Sequence, residues 1–479
     1  MSNQANQSSS LFVKLGRTID VARRITVNLL FLAVLIVLLV IIWNQDTPEV
    51  PATAALIIDP SGPIVEQLTG DSRQRAIGKL MGATQSETLL KDLVDAIELA
   101  REDDRIKALF LNLNGMGASG LTKLQDLGSA IRDFRESGKK VVSAANDYEQ
   151  SPYYLASMGD EIYLDPMGMV VLEGYGRYRT YYKEGLDRLE IDWNVFRVGE
   201  FKSAVEPFLR NDMSPEAREA NLEWLNDLWQ AYLDDVAPAR GMTPQDLGDK
   251  VNGFADLIHQ AEGDTAKAVL EAGLVDGLLT RHQVRTRMIE LVGEGKESHS
   301  FNQIGFRTYL DLMEPERNQG DDEKIVAVIV AKGTIVDGNR PPGLIGGDST
   351  AALIRSAREN DKVKAIVLRV DSGGGSAFAS EIIRREFALA REAGKPVLVS
   401  MGSVAASGGY WISTASDEIW AHPTTITGSI GIFGMFPTYQ RTMSTYLGLN
   451  VDGVGTAPLA GALRPDRKMD PALNEIFQL

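Results

Sequence analysis

"DDRIKALFLNLNGMGAS" (Asp103–Ser119) and "NDKVKAIVLRVDSGGGS" (Asn360–Ser376) are the same sentence written twice. Each has a polar entry, a run of apolar residues too short for a helix, and a Gly-bearing turn, the pattern of a buried strand ending at a sheet edge. A second pair follows: "GDEIYLDP" (Gly159–Pro166) and "SDEIWAHP" (Ser416–Pro423). Lys107 to Lys364 and Asp160 to Asp417 are both separated by 257 positions, so a constant offset implies a gap-free duplication. Upstream, "AALIIDPSGPIVE" resembles "VAVIVAKGTIVDG", with a shifted offset.

Within each copy apolar strands alternate with amphipathic stretches such as "SETLLKDLVDAIELARED", whose apolar positions recur at i, i+3 and i+4. That alternation predicts α/β layers around parallel strands. The expected organisation is an N-terminal tail over 1–24, an apolar anchor over 25–45, a first repeat over 46–292, a linker over 293–323 and a second repeat over 324–479. The first copy runs on from Met213 to Leu279, whereas the second reaches only Leu479 soon after Met469, which reads as a second unit cut short.

The anchor is the one departure from globular composition. Leu29–Trp43, "LLFLAVLIVLLVIIW", extended back to Ile25, is long enough to cross the hydrocarbon core as a helix. Lys14, Arg17, Arg23 and Arg24 precede it and no basic residue follows before Arg73, so the positive-inside bias places the N-terminus in the cytoplasm and the bulk of the chain outside. A cleaved signal peptide fits less well, because "ATA" at Ala52–Ala54 lies far downstream of the apolar run. With 479 residues, 44% of them hydrophobic, the remainder reads as globular. The net charge of −16 argues against a nucleic-acid partner. The absence of cysteine excludes thiolate chemistry and Cys-based zinc sites. Four histidines without an H-x-x-x-H spacing make a metalloenzyme a poor expectation, and no cofactor is implied.

"SVAASGGYWIS" (Ser403–Ser413) raises a nucleophile, Ser407, set among small residues. An offset of 257 carries Ser407 back to Gln150, so the first copy keeps the frame of the motif without its hydroxyl, and "DSGGGS" (Asp371–Ser376) becomes "NGMGAS". A motif needed only for close packing would have been kept in both. The glycines can serve acyl transfer by bringing backbone N–H donors to a developing oxyanion, with Gly408 as one donor and the Gly373–Gly375 turn supplying another. No histidine is placed to be the base, which leaves a neutral, desolvated lysine. Lys332, Lys362, Lys364, Lys395 and Lys468 are the candidates within the second copy, and spacing alone does not choose among the lysines.

"AASGGYWISTASDEI", "TGSIGIFG" (Thr427–Gly434) and "RVGEFKSAVEPF" (Arg197–Phe208) resemble the signal peptide peptidase A (protease IV) family of membrane-anchored Ser/Lys-dyad serine proteases, in its long tandem-repeat form. The resemblance implies Clp protease/crotonase-like domains and a catalytic dyad of Ser407 and Lys202, the lysine lying in the first copy. It further implies that Ser429 orients the lysine and that Gly374 or Gly375, with Gly408, forms the oxyanion hole. Where the family usually has "SPGGS", this sequence has Gly373 in place of proline. Implied substrates are cleaved signal peptides and other apolar peptides, met in the periplasm by a homotetramer anchored in the inner-membrane bilayer. The rival readings are a crotonase-like acyl-CoA enzyme and an inert membrane-tethered scaffold.

Overall fold

In the computed structural model of the chain, residues 20, 23–37, 49–82, 87–199, 201–296, 299–317 and 324–479 are described. Residues 23–37 are helical with exposed side chains, and the remainder of the apolar run lies outside the described residues. No helix among the described residues is long and apolar enough to cross a membrane. Residues 50–479 form one compact unit with two six-stranded sheets and two two-stranded ones.

The first sheet is built from β1 (Ala54–Ile58), β2 (Ile106–Leu111), β3 (Lys140–Ala145), β4 (Glu161–Leu164), β6 (Gly277–Leu278) and β7 (Gln303–Gly305), in the order β6-β4-β3-β2-β1-β7 and parallel throughout. Helix α1 (Leu90–Glu102) buries Leu90, Leu93, Ala96, Ile97 and Ala100, the one-sided spacing read from the sequence. Helix α2 (Leu121–Glu136) lies beside it, and α3 (Gln150–Ser157) and α4 (Pro215–Ala239) complete the packing.

The second sheet repeats the plan with β8 (Ile325–Val336), β9 (Gly343–Gly346), β10 (Val363–Ser372), β11 (Val397–Ala406) and β12 (Glu418–Trp420), in the order β9-β8-β10-β11-β12, with β13 (Ile426–Gly428) also on β11. Helices α5 (Gly347–Glu359), α6 (Ala377–Glu392) and α7 (Gly408–Ser413) accompany it. Each sheet has its own apolar core, as parallel strands flanked by helices require. One antiparallel ribbon joins the repeats: β5 (Asp192–Val198) of the first pairs with β14 (Ile432–Thr438) of the second.

Two expectations change. Residues 299–317, read above as linker, contain β7 and a helix starting at Phe306, with Ile304, Phe306 and Tyr309 buried in the first core. The chain comes back to cover the β1 edge before it starts the second sheet, and a three-residue strand is too short to register as apolar periodicity. The constant offset also fails locally. Lys139 and Lys395, which tie down carbonyls at the ends of α1 and α5, differ by 256, while the turns leading into α3 and α7 differ by 258. Small gaps of opposite sign cancel across the repeat.

Candidate active site

Ser407 is the single residue between β11 and α7. Its N–H donates to the Gly428 carbonyl at 2.8 Å, and its own carbonyl accepts from Trp411 N at 2.9 Å. Its backbone has φ 52° and ψ −116°, a conformation that costs a side-chain-bearing residue about 1–3 kcal/mol. This sharp strand-to-helix turn lifts the hydroxyl clear of the sheet, the arrangement that nucleophile elbows use.

Lys202 arrives from the other repeat along the β5–β14 ribbon. Val198 pairs with Ile432, and the chains then diverge at Gly199 (φ 113°) and Gly431 (φ 129°). A Cβ on Gly431 would lie 2.2 Å from the Val198 carbonyl oxygen, so only glycine permits this crossing. Beyond it Lys202 turns inward and is 5% exposed. Its Nζ lies 3.0 Å from Ser407 Oγ, 2.6 Å from the Ser429 carbonyl oxygen and 3.2 Å from Ser429 Oγ. A neutral amine has two N–H donors and one lone pair. Three partners therefore suit it: two acceptors on Ser429 and one hydroxyl proton from Ser407. Among the described residues no carboxylate pairs with it, and burial pushes the lysine pKa down.

The glycine turn separates into two roles. Gly374 N–H donates to Ser372 Oγ at 3.1 Å, which removes it from the site. Ser372 Oγ in turn donates to the Gly333 carbonyl at 2.6 Å and so fixes the loop. The N–H groups of Gly375 and Gly408 have no acceptor among the described residues, and the two glycines are in contact. A Cβ on Gly375 would lie 2.0 Å from the Ile335 carbonyl oxygen. Of the two alternatives for the second donor, geometry favours Gly375. Gly373 has open space around it and no steric reason to be glycine.

A cavity of about 840 Å³ opens beside the pair, with Val198, Trp411, Ile430, Ile432 and Phe433 as its apolar walls. Trp411 is held in place by its indole N–H, which donates to Glu381 Oε2 at 3.0 Å. Sequence reasoning named none of these wall residues. The available signal was the run of apolar side chains that "SIGIF" leaves exposed around Gly431. The lysines of the second copy are engaged elsewhere: Lys332 with Glu87 at 2.8 Å, Lys364 with the Asp361 carbonyl and Lys395 with those of Ala357 and Asn360. Lys362 and Lys468 are not among the residues around the serine.

On helix start, the first-repeat counterpart of Ser407 is Glu149 rather than Gln150, since Tyr153 N donates to Glu149 O as Trp411 N does to Ser407 O. Neither residue carries a hydroxyl.

The chain matches the family model described as Peptidase family S49 over residues 133–294 and 389–479, one segment from each repeat. It is similar to Protease 4 of Salmonella typhi, with 43% identity over 97% of this chain and 75% of that one. Protease 4 of Haemophilus influenzae is 38% identical over 91% of this chain and 72% of that protein. The chloroplastic serine protease SPPA of Arabidopsis thaliana is 28% identical over 86% and 60%. A buried lysine on a strained serine, two free amides beside it and these relatives lead to one conclusion: the chain is a serine protease and belongs to peptidase family S49.

Proposed function

We propose that the chain is a membrane-tethered endopeptidase that cuts apolar peptide segments, cleaved signal peptides among them, with Ser407 as nucleophile and Lys202 as general base. The observation that carries this reading is the 3.0 Å approach of Lys202 Nζ to Ser407 Oγ, with the amine desolvated and without a counter-ion among the described residues. Neutral Lys202 takes the hydroxyl proton as Ser407 Oγ attacks the peptide carbonyl. Ser429 holds the amine through its carbonyl and hydroxyl. The Gly375 and Gly408 N–H groups receive the oxyanion, the lysine passes its proton to the leaving amine, and water then hydrolyses the acyl-enzyme. The apolar cavity walls suit the side chains of signal-peptide cores.

Each repeat is read as a Clp protease/crotonase-like domain, the apolar N-terminal run as an inner-membrane anchor, the catalytic part as periplasmic and the assembly as a homotetramer. The test is hydrolysis of an apolar peptide by the full chain in detergent. Ser407→Ala and Lys202→Met should each abolish turnover while the protein stays folded, and full activity in either sinks the dyad. Carbonate extraction and protease protection of membrane vesicles test the anchor and its orientation.

A further inference from the structure

A second lysine crosses from the first repeat into the second, close to the nucleophile but outside the machinery described so far. Lys123, on α2, is 5% exposed. Its Nζ donates to Ser403 Oγ at 3.0 Å and lies 2.7 Å from Asp371 Oδ2. Asp371 Oδ1 accepts from Val404 N at 3.2 Å. These three partners surround one irregularity. Along β10 and β11 the register runs Val370↔Met401 and then Ser372↔Ala405. One residue, Asp371, therefore faces three, Gly402, Ser403 and Val404, a bulge with two residues to spare.

The two spare residues account for a difference between the repeats. From Val141 to Glu149 the first copy takes eight steps, and from Val397 to Ser407 the second takes ten. The β2–β3 ladder of the first copy runs in even register from Ala108↔Lys140 to Leu111↔Ser143 and ends there. The bulge thus sets how far β11 projects before it turns at Ser407, and its other side is Asp371, the residue that opens the Gly375 loop. Ser372, next in the chain, is what holds Gly374. The contact is close: a Cβ on Gly120, just before α2, would lie 2.2 Å from Ser403 Oγ.

We infer that Lys123 is a positioning residue for the reaction, pinning the bulge so that the nucleophile strand and the oxyanion loop keep one spacing. The first repeat then serves the second twice, with Lys202 as base and Lys123 as a strut. The inference rests on the dyad reading above. An unpinned bulge has residues free to relax, and displacement of reacting groups by about 1 Å costs on the order of 10²-fold in rate.

The test uses the full chain in detergent, an apolar peptide substrate, and Ser407→Ala as the control that judges the dyad separately. Lys123→Met should lower kcat by roughly 10- to 100-fold with KM within about twofold, because the apolar cavity is untouched. That variant also strands the Asp371 carboxylate, so a second, Lys123→Met/Asp371→Asn, removes both charges and restores the melting temperature. In this pair kcat should stay low. The strut is overturned if the double variant regains wild-type kcat, since charge burial alone would then explain the single one. It is equally overturned if Lys123→Met keeps wild-type kcat, or if its loss of rate equals its loss of folded protein. Activity persisting in Ser407→Ala condemns the dyad instead.

Discussion

The two strand-to-helix turns occupy equivalent places in the repeats and have been finished differently. At the first, Glu149 has φ −80° and ψ 169°, an ordinary extended residue. The Gln150 side-chain oxygen accepts from Glu173 N and Gly174 N, and its carbonyl accepts from the buried Tyr232 hydroxyl. Tyr148, Tyr153 and Tyr154 fill the interior around it. At the second, Ser407 is strained, among the described residues two amides have no acceptor and a lysine no counter-ion, and a cavity of about 840 Å³ stands beside them. The first turn has an unstrained backbone and a paired, well-filled surrounding. The second breaks several local rules of stability at once, and such breaches cluster where chemistry is done.

The largest effect separates the turns by activity. Ser407→Ala should reduce kcat by about 10⁴-fold or more. Glu149→Ala, at the exposed counterpart, should leave kcat within about twofold, because surface changes away from a site rarely matter. Steady-state peptide hydrolysis checks both. A comparable loss at Glu149 would mean that the first turn takes part in the reaction.

The glycine loops give the next contrast. At the 257-residue sequence offset position 375 falls on Ala118 of the first repeat, which already carries the methyl group, while the bridge that Gly375 makes to Ile335 is matched there by Met116 on Gly62. Gly375→Ala drives a Cβ into the Ile335 carbonyl and must move the amide proposed as an oxyanion donor, for an expected loss of about 10²–10³-fold in kcat. Ala118→Gly should change nothing in turnover. If Gly375→Ala keeps its rate, the free amide of Gly375 is not a donor to the reaction.

How much of this was legible follows from range. The duplicated strands were readable because parallel, doubly covered strands are near-continuous apolar runs, as "AIVL" (Ala365–Leu368) within "VKAIVLRV" is. The serine was readable from its small neighbours. The lysine was not readable from residue chemistry, because Lys202 lies 205 positions from Ser407 and only the β5–β14 ribbon brings them together. It came from resemblance to a family. The bulge under Ser407 was hidden by compensating gaps, and the β7 strand by its brevity. Short-range pattern marks elements, whereas a site assembled between repeats depends on register.

The backbone itself supplies a third contrast, of about 1–3 kcal/mol. Ser407→Gly and Ser407→Ala both lose the hydroxyl, but only glycine accepts φ 52°, so the glycine variant should be the more stable by that margin. At Glu149 the sign reverses. Glycine there adds freedom to the unfolded chain and relieves nothing, costing about 0.5–1 kcal/mol against alanine. Denaturant unfolding of the four variants measures both differences. Equal stabilities at position 407 would remove strain from the account of the nucleophile.

The smallest effect lies at the proposed base. Lys202 must be neutral to accept a proton, so kcat/KM should rise with pH through its pKa, and desolvation places that limb below the ordinary lysine value of about 10.4. Stability carries the same sign: between the folded and unfolded pKa values the unfolded chain binds more protons, so this term grows as pH rises and is lost as pH falls. Ser429→Ala removes the acceptor at 3.2 Å and leaves the carbonyl at 2.6 Å, so kcat should fall by only about 2- to 10-fold. The ammonium loses more from a missing acceptor than the neutral amine does, so the ascending limb should move to lower pH in this variant. A limb that moves upward, or a rate loss as deep as that of Ser407→Ala, would mean that the hydroxyl of Ser429 handles the proton itself, and that the base is a serine–lysine relay rather than the lysine alone.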